Sequence, residues 1–314
     1  MLLDCLNSIY GKGRPAASFE VIVVFNGSND DSVEACARNY PQVKRIELPT
    51  NLGFSAAVNI GIRESQGHYL LLLNNDTIVL PGAIDRLLDY IKSNERIGIV
   101  APKLLYPDMS LQRACHEFPT LIGLLTNALF LHILFPWSRR FGWTNMSYWD
   151  YSDTRPVDWI SAACILVQRD ALMDVGLLDE KSPVAGDLDL CWRMCQRGWK
   201  TVFIHDAQVI HLLGQSSWRK CGPDAVNTQM MSHILNFKAM YYWFYDHFGR
   251  DVAAKYFLIQ KLDAMLRVPI FFVLSLIPHP MRISSLARLK AYLQILALSL
   301  STLENEYKEK VGRN

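Results

Sequence analysis

Four short strand-like runs constrain this chain more than anything else in it. Glu20–Phe25, His68–Leu73 and Ile97–Ala101 are rich in β-branched or leucine side chains and too short for core helices, and Val43–Leu48 is a further strand candidate. That pattern marks buried strands. Between them lie helical stretches: Ser32–Asn39, a small-residue helix within Asn51–Gly67, and an amphipathic helix from Pro81 to about Ser93. The proline there occupies a tolerated first-turn position. Residues 1–10 read as the end of a further helix. Strand alternating with helix predicts an α/β sandwich with a mainly parallel sheet. In such sheets ligands gather at the carboxyl ends of strands. The polar clusters at 26–31 and 74–77 both stand at such ends.

A length of 314 residues allows one large or two modest domains. Half the residues are hydrophobic and a fifth are charged, which excludes general disorder. A net charge of +2 gives no argument for nucleic acid as a partner. The aromatic content leans toward membrane contact or a large apolar pocket. Seven cysteines (5, 36, 115, 164, 191, 195 and 221) are scattered, with no C-x-x-C pair. They read as buried thiols in a reducing compartment. Cys191 and Cys195 share a helical face, but no second pair completes a zinc site. The opening MLLDCLNSIYG lacks the basic and apolar regions of a signal peptide.

Phe118–Ser138 is uncharged for 21 residues and by length could span a bilayer. It contains Asn127, His132 and Pro136. If Asp76 and Asp187 share one site, a single span between them would separate them across the membrane. The segment is therefore expected as an apolar helix in the membrane interface or over the core. Val157–Gln168 returns to strand character, Asp187–Arg197 is helical, Thr201–Ile204 is a strand, and Val209–Ser217 is a strand entering a loop. From about Ala225 the pattern is helical, which divides the chain into domains at 1–224 and 225–314. Val268–Met281 and Ala291–Leu303 are uncharged but too short to span. Flanked by Arg267, Arg282, Arg288 and Lys290, they suit helices on an anionic membrane face. An ordinary bundle packed on the first domain is the alternative.

Three places could carry chemistry. Asn74-Asn75-Asp76 follows an apolar strand; such a turn can hold Mg²⁺ or Mn²⁺, or be only a turn. Asp187 and Asp189 begin a helix, where acids also serve as caps, and Asp189 with Arg193 is an i,i+4 pair. One of the two acids could act as a general base. His211 follows the strand Val209-Ile210 and could ligate a metal, or be a core histidine. His205 competes with no such context.

In this order, Asn51–Gly61 (NLGFSAAVNIG), Leu70–Thr77 (LLLLNNDT), Val157–Asp179, Asp187–Arg193 (DLDLCWR) and Val209–Ser217 (VIHLLGQSS) resemble the family 2 inverting glycosyltransferases of GT-A fold. The likeness is to the bacterial rhamnosyltransferase-like branch that builds cell-surface polysaccharide. The resemblance implies a nucleotide-sugar donor, dTDP- or UDP-linked, and a glycan or lipid-linked glycan acceptor. It implies that Asp76 is the last acid of the metal-binding motif, with Asn74 and Asn75 in its other places. It implies that His211 completes the metal or diphosphate site and that Asp187 is the catalytic base. Asn26, Asn51 and the Gly53 loop are implied on the nucleotide side. The expected location is the cytoplasmic face of the cell membrane, held peripherally.

The chain also departs from the family. It begins at what resembles the helix after the usual first strand. Phe25 stands where the family has an aspartate contacting the base. Residues 181–186 lack the usual Glu and aromatics before the base, and Ala162 replaces a glycine. These departures keep a second expectation in view: a catalytically impaired remnant or glycan-binding scaffold.

Overall fold

The structure is a computed structural model and describes residues 1–93, 95–180, 186–212, 225–277 and 282–312. In chain order its elements are α1 Leu2–Tyr10, β1 Ile22–Asn26, α2 Ser32–Asn39, β2 Lys44–Leu48, α3 Phe54–Arg63, β3 Tyr69–Leu73, β4 Thr77–Val79, α4 Ala83–Lys92, β5 Ile97–Leu105, β6 Leu111–Gln112, β7 Cys115–His116, α5 Leu121–Ala128, α6 Leu131–Leu134, β8 Arg155–Val157, β9 Trp159–Ile160, β10 Cys164–Gln168, α7 Arg169–Val175, α8 Gly186–Gln196, β11 Lys200–His211, α9 Ala225–Phe248, α10 Arg250–Leu276, α11 Arg282–Ala297 and α12 Leu300–Gly312. One compact unit takes in the described residues of Met1–Phe118, Trp149–Glu180 and Gly186–Ser216. A second takes in those of Pro119–Tyr148 and Ser217–Asn314. The segment 119–148 thus belongs with the C-terminal helices, because α5 packs on α10.

The main sheet of the first unit has the order β3-β10-β5-β11-β4, with β6 beside β5 and β8 beside β11. It is mixed rather than mainly parallel. Among the described residues β5 and β11 are its one parallel pair of neighbours, and β10 lies antiparallel to both β3 and β5. The cause is topological: β10 enters from the later half of the chain and separates two strands that run the same way. β1 and β2 form a separate parallel pair, and β7 and β9 an antiparallel one. Nearly every residue of β5 is buried, as a strand covered on both faces requires. On α4, Ile84, Leu87 and Ile91 fall at i, i+3 and i+7 and pack in one core with Val100, Leu166 and Val202.

Two expected segments resolve differently. Val157–Gln168 is three short strands, and 201–211 is one strand with a register shift between Ile204 and Gln208. Phe118–Ser138 is not one helix. It breaks between α5 and α6 at Phe130, whose φ of +60° is left-handed. Among the described residues no single helix is long and apolar enough to cross a membrane. Cys5, Cys36, Cys115, Cys164 and Cys191 are buried free thiols, and Cys195 is exposed. The expected loops at 181–185 and 213–217, and Cys221, lie outside the described residues.

Candidate active site

β3 ends at Leu73, and the chain turns through Asn74 and Asn75 into β4. β4 pairs antiparallel with the end of β11, in the register Val79–Val209, Ile78–Ile210, Thr77–His211. The amide of Leu212 extends the ladder by donating to the carbonyl of Asp76 at 2.9 Å. This pairing sets His211 beside Asp76, with Nε2 3.3 Å from Oδ1 and both side chains buried. On the other side of the ring, Gln112 Nε2 lies 3.1 Å from His211 Nδ1. Which ring nitrogen carries the proton sets the donor and acceptor roles of this pair; with the proton on Nδ1, Nε2 presents a lone pair on the side of Asp76. Asn74 is held by its backbone. Its N–H donates to Ala163 O at 2.9 Å, and its carbonyl accepts from Thr77 Oγ1 at 2.7 Å. Asn75 is exposed.

The two acids at the start of α8 have different surroundings. Asp189 is buried and accepts from Arg193 Nε at 2.7 Å. Arg193 also donates to the carbonyls of Val175, Gly176 and Leu177. That pair is a clamp between α7 and α8. The Asp187 carboxylate instead accepts two backbone N–H groups, Leu188 at 2.9 Å and Ala162 at 3.2 Å. Burial pushes its pKa up, and the two N–H bonds offset this only in part. A carboxylate raised in this way is suited to taking a proton.

Short links join these pieces. Ala162 donates to Asp187, while the next residue, Ala163, accepts from Asn74. One dipeptide therefore bridges the base candidate and the metal-side turn. At Gly186 a Cβ would lie 2.9 Å from Ser55 Oγ in the first turn of α3, so that helix start abuts the residue before Asp187. One turn further, the buried Asn59 donates to Leu178 O and Glu180 Oε1, both at 2.8 Å, and accepts from Leu178 N at 3.0 Å. These bonds fix α3 to the segment that leads toward Asp187.

The loop before α3 holds the remaining candidates. Asn26 Nδ2 donates to Asn51 Oδ1 at 3.1 Å and to Gly53 O at 3.0 Å, and Asn26 Oδ1 accepts from Leu52 N at 2.8 Å. Gly53 has φ +90°, where a side chain is strained. Asn26, Asn51 and Gly53 thus brace one another and present the N-terminus of α3, a place suited to an anion. Phe25 points away, into a small core with Leu6, Cys36 and Val43. His205 bonds Thr154 and takes no part. Gln112 and Glu180 carry no motif signal, whereas Asn59 lies within the Asn51–Gly61 stretch quoted for the resemblance.

Among the described residues no group of three or more His, Cys, Asp or Glu could hold a metal ion. The buried Asp76 and His211 still offer one oxygen and one nitrogen at a single point. Mg²⁺ and Mn²⁺ accept such a partial set when phosphate oxygens and water complete the shell, so the residues present fit a metal shared with a diphosphate.

The family model for glycosyl transferase family 2 matches residues 1–151. Over 213 residues the chain is 32% identical to the N-acetylglucosaminyl-diphospho-decaprenol L-rhamnosyltransferase of Mycobacterium tuberculosis, covering 63% of this chain and 68% of that protein. It is 28% identical over 199 residues to the O-antigen biosynthesis protein RfbC of Myxococcus xanthus, covering 62% of this chain but 15% of that one. Its fold resembles that of a mannosyltransferase from Pyrobaculum calidifontis solved with GDP-mannose and Mn²⁺. That match has a TM-score of 0.54 at 13% identity and covers 94% of this chain and 81% of the other.

Proposed function

We propose that this chain, which belongs to glycosyl transferase family 2, moves a hexosyl group from a nucleotide-sugar to a hydroxyl of a glycan or lipid-linked glycan in cell-surface polysaccharide synthesis. The donor is proposed to be dTDP-rhamnose, in keeping with the rhamnosyltransferase relative. The acceptor is proposed to be met at the cytoplasmic face of the membrane, with the protein held there peripherally. Asp187 accepts the proton of the acceptor hydroxyl, the freed oxygen bonds to the anomeric carbon, and the bond from that carbon to the diphosphate oxygen breaks. Attack from the face opposite the leaving group inverts the configuration.

The observation that carries this reading is the environment of Asp187, a carboxylate with raised pKa held by two N–H groups, with no cation paired to it among the described residues. The Asn74–Ala163 bond keeps it tied to the turn that bears Asp76. Asp76 and His211 would hold Mg²⁺ or Mn²⁺, which when bound offsets charge on the departing nucleoside diphosphate. Gln112 fixes the ring of His211. Asn26, Asn51 and Gly53 shape the start of α3 for the nucleotide side.

Burial of Phe25 favours a second reading, a glycan-binding scaffold without turnover, since that position offers no hydrogen bond to a base. Calorimetric titration with dTDP and UDP, with and without Mn²⁺, followed by a transfer assay, separates the two. Metal-dependent nucleotide binding with turnover supports the enzyme. Glycan binding with no nucleotide binding supports the scaffold.

A further inference from the structure

The second unit carries an exposed apolar face that the site above does not use. On α10, Met265, Pro269, Phe272 and Leu276 form one exposed stripe, and Leu266, Ile270 and Val273 form the adjacent one. Every exposed residue from 265 to 276 is apolar. At 1.5 Å per residue this face is about 17 Å long. The inner side of the same turns, Ala264, Phe271 and Ser275, is buried. The one charged residue in this stretch, Arg267, is turned to Asp263 and to Asn127 O, and its guanidinium lies 4.7 Å from the centre of the Phe130 ring. Arg267 thereby pins the α5–α6 hairpin alongside the Leu266–Ile270 stripe. The hairpin is itself apolar outward, with Ile122 67%, Ile133 61% and Trp137 72% exposed.

Charge decides what fits this face. Residues 119–148 hold Arg139 and Arg140 and no acid, and residues 252–303 hold six Lys or Arg against the single Asp263. Arg139 and Arg140 follow Trp137, and Arg282 sits at the far end of the stripe, bonded to Ser275 O at 3.0 Å. A second copy would bring like-charged arginines against these. An anionic lipid surface complements them. We propose that the α5–α6 hairpin and the C-terminal half of α10 dock on an anionic phospholipid bilayer, lying in its plane with Trp137 at headgroup depth. This deepens the peripheral membrane placement proposed above and rests on it.

The test is flotation of the full chain with vesicles of phosphatidylcholine, alone or mixed with phosphatidylglycerol. Binding is expected to the mixed vesicles and to weaken with salt. The double variant Phe272→Ser, Leu276→Ser changes exposed side chains only. It is expected to lower the partition coefficient at least about tenfold, with circular dichroism unchanged. Trp137→Phe is expected to remove fluorescence quenching by brominated acyl chains. Equal binding to both vesicles, no binding, or no effect of the double variant overturns the proposal. So does sedimentation as a dimer that the double variant makes monomeric, which assigns the face to a second copy. Nucleotide titration without lipid reports separately on the glycosyltransferase reading, so either can fail while the other stands.

Discussion

Replacing Asp187 by asparagine separates chemistry from stability in a way the surroundings of this residue make specific. The side chain keeps its shape, but only one end of the amide can accept a hydrogen bond. Of the two N–H groups now satisfied, at 2.9 and 3.2 Å, one faces an NH₂ group. Leaving a buried N–H unpaired costs about 1–3 kcal/mol. Against this, the variant no longer buries an ionised carboxylate, and the raised pKa shows that burial outweighs the N–H bonds in the native protein. The two effects oppose each other at neutral pH, so the stability change is expected within about 1–2 kcal/mol. The pH dependence has a definite sign. The folded state binds the Asp187 proton more tightly than the unfolded chain does, so this residue lowers native stability as pH rises. The penalty begins near the unfolded aspartate value of about 3.9 and is complete above the raised folded value. The asparagine variant lacks it, so its stability relative to native rises across that window. Transfer is expected to fall by about 10²–10⁴, the usual worth of a general base, or about 3–5 kcal/mol of barrier. The native rate is likewise expected to fall on acidification at a pKa above the ordinary aspartate value. Urea unfolding at several pH values and a transfer assay with Mn²⁺ measure both quantities. Transfer within tenfold of native, or a stability difference that does not change with pH, refutes the reasoning.

Three further outcomes follow from the same geometry. Asp76→Ala is expected to abolish the Mn²⁺ dependence of nucleotide binding in calorimetry while leaving the thermal transition cooperative; unchanged metal dependence removes Asp76 from the site. Gln112→Leu deletes the bond to His211 Nδ1 and is expected to weaken Mn²⁺-dependent nucleotide binding about 10- to 100-fold, with little effect on binding measured without metal. Asn59→Leu leaves both backbone groups of Leu178 without their partner and is expected to destabilise the protein by about 2–5 kcal/mol in urea unfolding; a loss under 1 kcal/mol would show that α3 is not held there.

The sequence by itself determined the local pieces. The apolar runs at 22–26 and 69–73 are strands because β-branched and leucine-rich runs of that length have few other ways to be buried, whereas the charged strand 44–48 has no buried residue and is held by its pairing with 22–26. The helix start at Gly186 and the turn at 74–76 were legible because acids and asparagines favour those places for short-range reasons. Tertiary structure alone decided which of these pieces meet. Asp76 and His211, 135 positions apart (211 − 76), touch because β4 pairs with β11 in one register. A slip of one residue would turn His211 to the other face. Asp187 and Asp189 are equivalent as letters, and Arg193 reaching three carbonyls is what assigns one to a clamp and leaves the other to two N–H groups. The sheet became mixed when β10 entered between β3 and β5, and Phe118–Ser138 broke at Phe130. Both outcomes depend on pairing and packing with distant segments, which the periodicity of a single chain does not encode.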